Sequence, residues 1–284
     1  MEERRQKKLA ALVAKRNCAE LQDKLQLKLW LEGLKARTRV PKDEAQGVVA
    51  AFRRDGVCRI PGCVDAATVR KCREHASERV ARILGEVSRR GLNPEGLKTR
   101  EIVSRSRGRF DVALDDRLAW TGGWVGIVRR ILGAACELLK SGVVVALPGA
   151  QAQQIHVDGK SLFDGDDFVP LPPHCLTVFV PLVDLRPELG PTEFFPGSHL
   201  ADSTVFDAAM RGDADSVTFD DAVAGDAILF DYRIKHRGLA NTHTHPRPLL
   251  YFTYAKPWFR DATNYSSLPL ADDDDDSSIM GMIS

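Results

Sequence analysis

From Gly142 onward the chain is a succession of short segments rich in Val, Ile, Phe, Tyr and Thr: GVVVALP, LTVFVPLVDL, TEFFPG, SVTFD, DAILFDYR and PLLYFTYAKPW. Each is bounded by Pro, Gly or Asp. β-Branched and aromatic side chains suit a pleated surface, and the turn residues interrupt each run before a helix could form. No long helical pattern lies between the segments, so parallel strands with helical crossovers are excluded. The expected core is an antiparallel sandwich or barrel, with a jelly roll as its architecture.

The residues ahead of these strands are patterned differently. Positions 2 to 37 place Leu9, Leu12, Val13, Leu21, Leu25, Trp30 and Leu34 at helical spacing, and Pro41 closes the section. Next, EAQGVVAAFRRDGVCRIPGCVDAATVRKCREHASERVARILGEV reads as a helix, a turn at Asp55-Gly56, a short strand Val57 to Ile60 and a long helix from about Ala66 to Arg90. His75 lies on the long helix as a surface or interface residue. With no repeat or low-complexity linker, the chain divides into a charged helical extension (1–40), one decorated β domain (41–265) and an acidic tail (266–284).

Composition limits the partners. A formal net charge of +1 lacks the basic surplus of a phosphate-tracking protein, which argues against nucleic acid. No apolar run approaches the roughly 20 residues that span a bilayer. Charge is uneven, with eleven Lys/Arg against five Asp/Glu in residues 1–39 and DDDDD at 272–276, the latter read as a solvated end. Six scattered cysteines without a secretory leader favour reduced thiols in an intracellular compartment. The basic, amphipathic start leaves organelle targeting open. Cys58 and Cys63 have no second ligand pair at zinc spacing and read as buried packing residues.

One segment, QQIHVDG at 153–159, sets His156 and Asp158 two positions apart. On a strand these side chains share one face. A two-histidine, one-carboxylate site for iron needs one further imidazole from elsewhere. Among the other histidines, His236 closes GDAILFDYRIKH, read as a strand, while His174, His199, His243 and His245 fall in loops or polar turns. His156, Asp158 and His236 would occupy one face of an octahedral ion and leave three positions open. Taken alone, an HxD tripeptide is common enough to mean nothing. Arg247, eleven residues after His236 at the start of PRPLLYFTY, adds a planar fork of donors suited to a carboxylate, if its strand pairs with the histidine strand.

QQIHVDG, GPTEFFPGSH and DYRIKHRGLANTHTHPRPLLYFTYAKPWF together resemble the iron(II)- and 2-oxoglutarate-dependent dioxygenases of the phytanoyl-CoA hydroxylase family. The likeness is strongest from about 145 to 265 and weaker over DGVCRIPGCVD. It implies a double-stranded β-helix of the cupin type carrying N-terminal helices. It also implies iron(II) held by His156, Asp158 and His236, 2-oxoglutarate held by Arg247 with Thr192 beside it, and O2 as oxidant. Asp158 points to hydroxylation, because halogenating relatives replace this carboxylate with a small residue. The basic run SRSRGRFDVALDD, similar to segments near the active-site mouth in relatives, makes Arg107 and Arg109 candidate substrate contacts and favours an anionic small molecule. Gln154 is a third candidate. Trp120, Trp124 and Trp258 are expected in the core. Two other readings stay open: an inactive jelly-roll scaffold, and an iron oxygenase that does not use 2-oxoglutarate.

Overall fold

The computed structural model describes residues 42–114, 122–162, 171–200, 215–261, 264 and 269–270. The helical expectation for 2–37, Trp120 and the acidic run at 272–276 lie outside them. Helix α1 (Lys42–Asp55) leads through Gly56, at φ +76°, into strand β1 (Val57–Ile60), and helix α2 (Ala66–Arg89) follows. Asp65 caps α2 by accepting a hydrogen bond from the Thr68 amide at 2.9 Å. The buried residues Val69, Cys72, Ala76, Val80, Ile83 and Val87 recur every three or four positions, which gives the helix one apolar stripe. His75 is exposed, as expected.

Within SRSRGRFDVALDD, residues 104–113 lie in a hairpin of β2 (Ile102–Ser106) and β3 (Arg109–Ala113), whose alternating residues face opposite sides. A short helix α3 (Val125–Leu132) precedes β4 (Glu137–Ala146), which begins five residues before the Gly142 boundary. The remaining strands are β5 (Cys175–Pro181), β6 (Thr192–Phe194), β7 (Val217–Thr218), β8 (Ala227–Asp231), β9 (His236–Gly238) and β10 (Arg247–Ala255).

All pairings among the described residues are antiparallel. A seven-stranded sheet runs β1-β8-β5-β10-β4-β3-β2 and a three-stranded sheet runs β7-β6-β9. One face of the large sheet carries Phe110, Val112, Val143, Val145, Leu176, Val178, Leu250 and Phe252. It is covered by the stripes of α1, α2 and α3, with Trp124 fully buried among them and donating to the Tyr254 hydroxyl. Burying each such side chain contributes about 1.5–3 kcal/mol, which fixes the sheet on its helical cover. The other face looks toward the small sheet across Phe194, Ile228, Phe230 and Leu249. Trp258, expected in the core, is instead 58% exposed and lies three residues past the end of β10.

Candidate metal and co-substrate site

The histidine expected to end a strand in fact begins one. Strand β8 stops at Asp231, where Arg233 folds back through Nε and Nη2 onto the carboxylate, both at 2.8 Å, and its amide donates to Oδ1 at 3.0 Å. This closed turn takes the chain out of the large sheet, so His236 opens β9 in the small one. His156, by contrast, is in no regular strand. It meets His236 in a single bridge in which the amide of each donates to the carbonyl of the other at 2.9 Å. Directly opposed antiparallel residues share a face, and the two imidazole centroids lie 4.4 Å apart.

Asp158 then reaches the same point from the bend that follows. Its Oδ1 lies 3.7 Å from His236 Nε2, and one ligand atom from each of His156, Asp158 and His236 falls within 4.8 Å of the others. This is the one such cluster of His, Cys, Asp or Glu among the described residues. Both ring orientations are fixed in the same way. His156 Nδ1 bonds the Gln154 carbonyl at 2.9 Å and His236 Nδ1 bonds the Ile234 carbonyl at 3.0 Å. Each Nδ1 therefore carries the proton and leaves the Nε2 lone pair for a ligand bond, the outer hydrogen bonding that metal-binding imidazoles use. Burial outweighs the nearby Asp158 charge and holds His236 below the ordinary imidazole range, so its neutral, ligating form is favoured. Two imidazoles and one carboxylate with open positions fit iron(II).

The triad lines a cavity of about 520 Å³ between the sheets. Register explains its opposite wall. Arg109 and Arg247 both pair with Ala146, Asp111 and Leu249 both pair with Val144, and Tyr251 pairs with Gly142 and Phe179, so these residues share the inner face. Arg247 thus arrives from the large sheet. Its strand pairs with β4 and β5 rather than with the histidine strand, and the cavity, not a ladder, brings it toward the metal position. It is 1% exposed, and among the described residues Nε and Nη1 have no hydrogen-bond partner. Burial first, then the charge of Arg109, lowers its pKa to about 9. A desolvated guanidinium with two nitrogens lacking an acceptor fits a carboxylate ligand.

Thr192, opposite Gly238 in the small sheet, also lines the cavity, as do Gln154 and Arg109. Arg107 does not. It sits exposed in the β2–β3 turn, where the two-residue connection points it away from the inner face. Several lining residues carry no signal in the HxD spacing. Gln153 Oε1 accepts from Arg109 Nη1 at 3.0 Å and from the Gly238 amide at 2.9 Å. Arg105 pairs with Asp111 at 2.6 Å. Asn264 Nδ2 donates to the Asp158 carbonyl at 2.5 Å and to the Tyr232 hydroxyl at 2.9 Å, while Tyr232 bonds Asp261. Treating Arg109 as part of a strand, alternating with Phe110, would have found the inner-face arginine; Asn264 is separated from the triad by too much chain for any spacing rule.

Fold and site together define a double-stranded β-helix protein with a His-Asp-His cluster and a buried arginine across one cavity. The profile of the phytanoyl-CoA dioxygenase family matches residues 52–249, and the chain belongs to that family. Solved structures agree on the fold. SnoN, described as a non-heme alpha ketoglutarate dependent epimerase from nogalamycin biosynthesis, is 21% identical at a TM-score of 0.57, over 82% of this chain and 95% of its own. SnoK, a non-heme alpha ketoglutarate dependent carbocyclase from the same biosynthesis, is 20% identical at 0.55, over 84% and 91%. HygX from Streptomyces hygroscopicus, solved with nickel and 2-oxoglutarate bound, is 18% identical at 0.54, over 80% and 96%. No helix among the described residues is long and apolar enough to cross a membrane.

Proposed function

We propose that the protein is an Fe(II)- and 2-oxoglutarate-dependent dioxygenase that hydroxylates a C–H bond of a small molecule. One observation carries this reading: three ligand atoms converge in the same cavity as a buried guanidinium whose Nε and Nη1 have no acceptor among the described residues. His156, Asp158 and His236 would hold the metal, and Arg247 the far carboxylate of 2-oxoglutarate, with Thr192 on the wall beside it. When bound, iron and co-substrate supply the oxidation, dividing O2 between succinate, formed with loss of CO2, and the substrate.

The chain's own residues position and enclose these groups. The reciprocal bridge at His156 and His236 fixes two ligands on one rigid pair, and Asn264 holds the Asp158 backbone. Val144, Phe179 and Leu249 give the cavity an apolar wall, while Ser104, Arg105, Ser106 and Gln154 give it a polar one. That polar side favours a polar small-molecule substrate. Asp158 keeps the carboxylate in the ligand set, which favours hydroxylation over halogenation. A fold of this kind hosts several outcomes, so the product decides the reaction type.

The experiment is anaerobic loading of purified protein with Fe(II) and 2-oxoglutarate, followed by O2. Formation of succinate, quenched in Asp158→Ala, is the expected result. Metabolite extracts should then yield a product heavier by one oxygen. A folded protein that neither binds 2-oxoglutarate nor forms succinate would overturn the assignment and favour a scaffold.

A further inference from the structure

The structure places a second guanidinium beside Arg247 that the family assignment does not account for. Arg109, on β3, and Arg247, on β10, flank Ala146 of β4 on the same row and the same face. Two strand spacings separate their backbones by roughly 9.6 Å, and the small alanine between them leaves room for both side chains to lean into the cavity. Both line it and both are 1% exposed. Among the described residues neither is paired with a carboxylate.

Arg109 is also held in place. It crosses Gly238, where an added Cβ would lie 1.3 Å from Nη1, and it donates to Gln153 Oε1 at 3.0 Å and to the Leu239 carbonyl at 2.6 Å. Those contacts engage two of its five N–H groups, and Nε has no partner among the described residues. Both acceptors are neutral, so the charge of this buried cation is uncompensated. Two such cations side by side are costly unless an anion completes the site.

We propose that Arg109 and Arg247 form a two-guanidinium receptor for the far carboxylate of 2-oxoglutarate, with Arg109 making the cavity discriminate against keto acids that lack this group. The proposal rests on the iron and 2-oxoglutarate reading above. The contact would satisfy both buried cations with one anion, and the bracing by Gln153 and Gly238 ties it to the strand that carries His236.

The test is calorimetric titration of the nickel-loaded protein with 2-oxoglutarate and with 2-oxopentanoate, which keeps the chelating end and replaces the far carboxylate by a methyl group. Wild-type protein should prefer 2-oxoglutarate, and Arg109→Gln should lose roughly 10- to 100-fold of that preference by weakening 2-oxoglutarate alone. In an Arg247→Gln background the same change should have a much smaller effect, because the two arginines would share one ligand group. Should Arg109→Gln not fold, Arg109→Lys keeps the charge but loses the fork and should still lower the preference several-fold. Unchanged preference in a folded Arg109 variant, or equal weakening of both keto acids, overturns the two-arginine receptor while leaving the iron reading intact. Failure of the wild-type protein to bind 2-oxoglutarate at all overturns both.

Discussion

Gly238→Ala isolates the contact that braces Arg109. The glycine follows His236 by two residues, and a Cβ there would overlap Arg109 Nη1 at 1.3 Å and approach Gln153 Oε1 at 2.8 Å. Neither neighbour can simply turn outward, because Arg109 is 1% exposed and anchored at both terminal nitrogens. Relief of the clash breaks those two hydrogen bonds. Each bond to a charged group contributes about 1.5–3 kcal/mol, so allowing for partial rearrangement the variant should lose about 3 kcal/mol. In a domain of this size that lowers Tm by roughly 6–12 °C. Urea and thermal denaturation of Gly238→Ala, Arg109→Ala and the double variant form a cycle. Removing the Arg109 side chain removes the clash, so the double variant should be far more stable than the sum of the single losses requires. A loss below about 0.5 kcal/mol in Gly238→Ala, or strict additivity, would refute the packing argument.

Three further outcomes follow from the same geometry. Asp158→Ala should leave the thermal midpoint of metal-free protein nearly unchanged and abolish the increase that added Fe(II) or Ni(II) produces in the wild type, as read by differential scanning calorimetry. Asn264→Ala removes hydrogen bonds to the Asp158 carbonyl and the Tyr232 hydroxyl; metal affinity measured by chelator competition should fall by several-fold, with a stability loss of about 1 kcal/mol. Among the described residues neither ring nitrogen of His174 has a hydrogen-bond partner, and burial, aided by the charge of Arg233, lowers its pKa from 6.5 to about 4. The unfolded chain binds that proton first, so stability is full above 6.5 and is lost as pH falls toward 4, by about 3 kcal/mol at most. His174→Phe, which suits the neighbouring Trp258 and Phe259 rings, should flatten this acid limb in urea titrations run across that range. His199 and His236 are shifted in the same direction and account for the part that remains.

The parts of the fold legible in the sequence were those governed by local periodicity. Asp55-Gly56, Val57–Ile60 and the long amphipathic helix appear where their patterns put them, because capping, a left-handed glycine and one apolar stripe are decided within a few residues. The hairpin of β2 and β3 was hidden because its arginines made it look solvated; Arg109 is a charge on the inner face of a strand, which hydropathy alone cannot distinguish from a surface turn. Sheet membership was also beyond reach. His236 was read as the end of β8, but the Arg233–Asp231 closure that diverts the chain is a matter of side-chain geometry. The same limit applies to Arg247, whose place opposite the histidines depends on two sheets facing each other. Residues assigned to the metal from spacing and resemblance do converge, whereas Arg107 lies outside the cavity and Asn264 enters it from a distant segment.

Anomalous X-ray scattering at the iron edge, from crystals loaded anaerobically with Fe(II) and 2-oxoglutarate, tests the central claim most directly. A single strong peak is expected within coordination distance of Nε2 of His156, Nε2 of His236 and a carboxylate oxygen of Asp158, with the far carboxylate of the keto acid against Arg247. Iron bound elsewhere, or a keto acid lying away from Arg247 in an otherwise intact cavity, would contradict it.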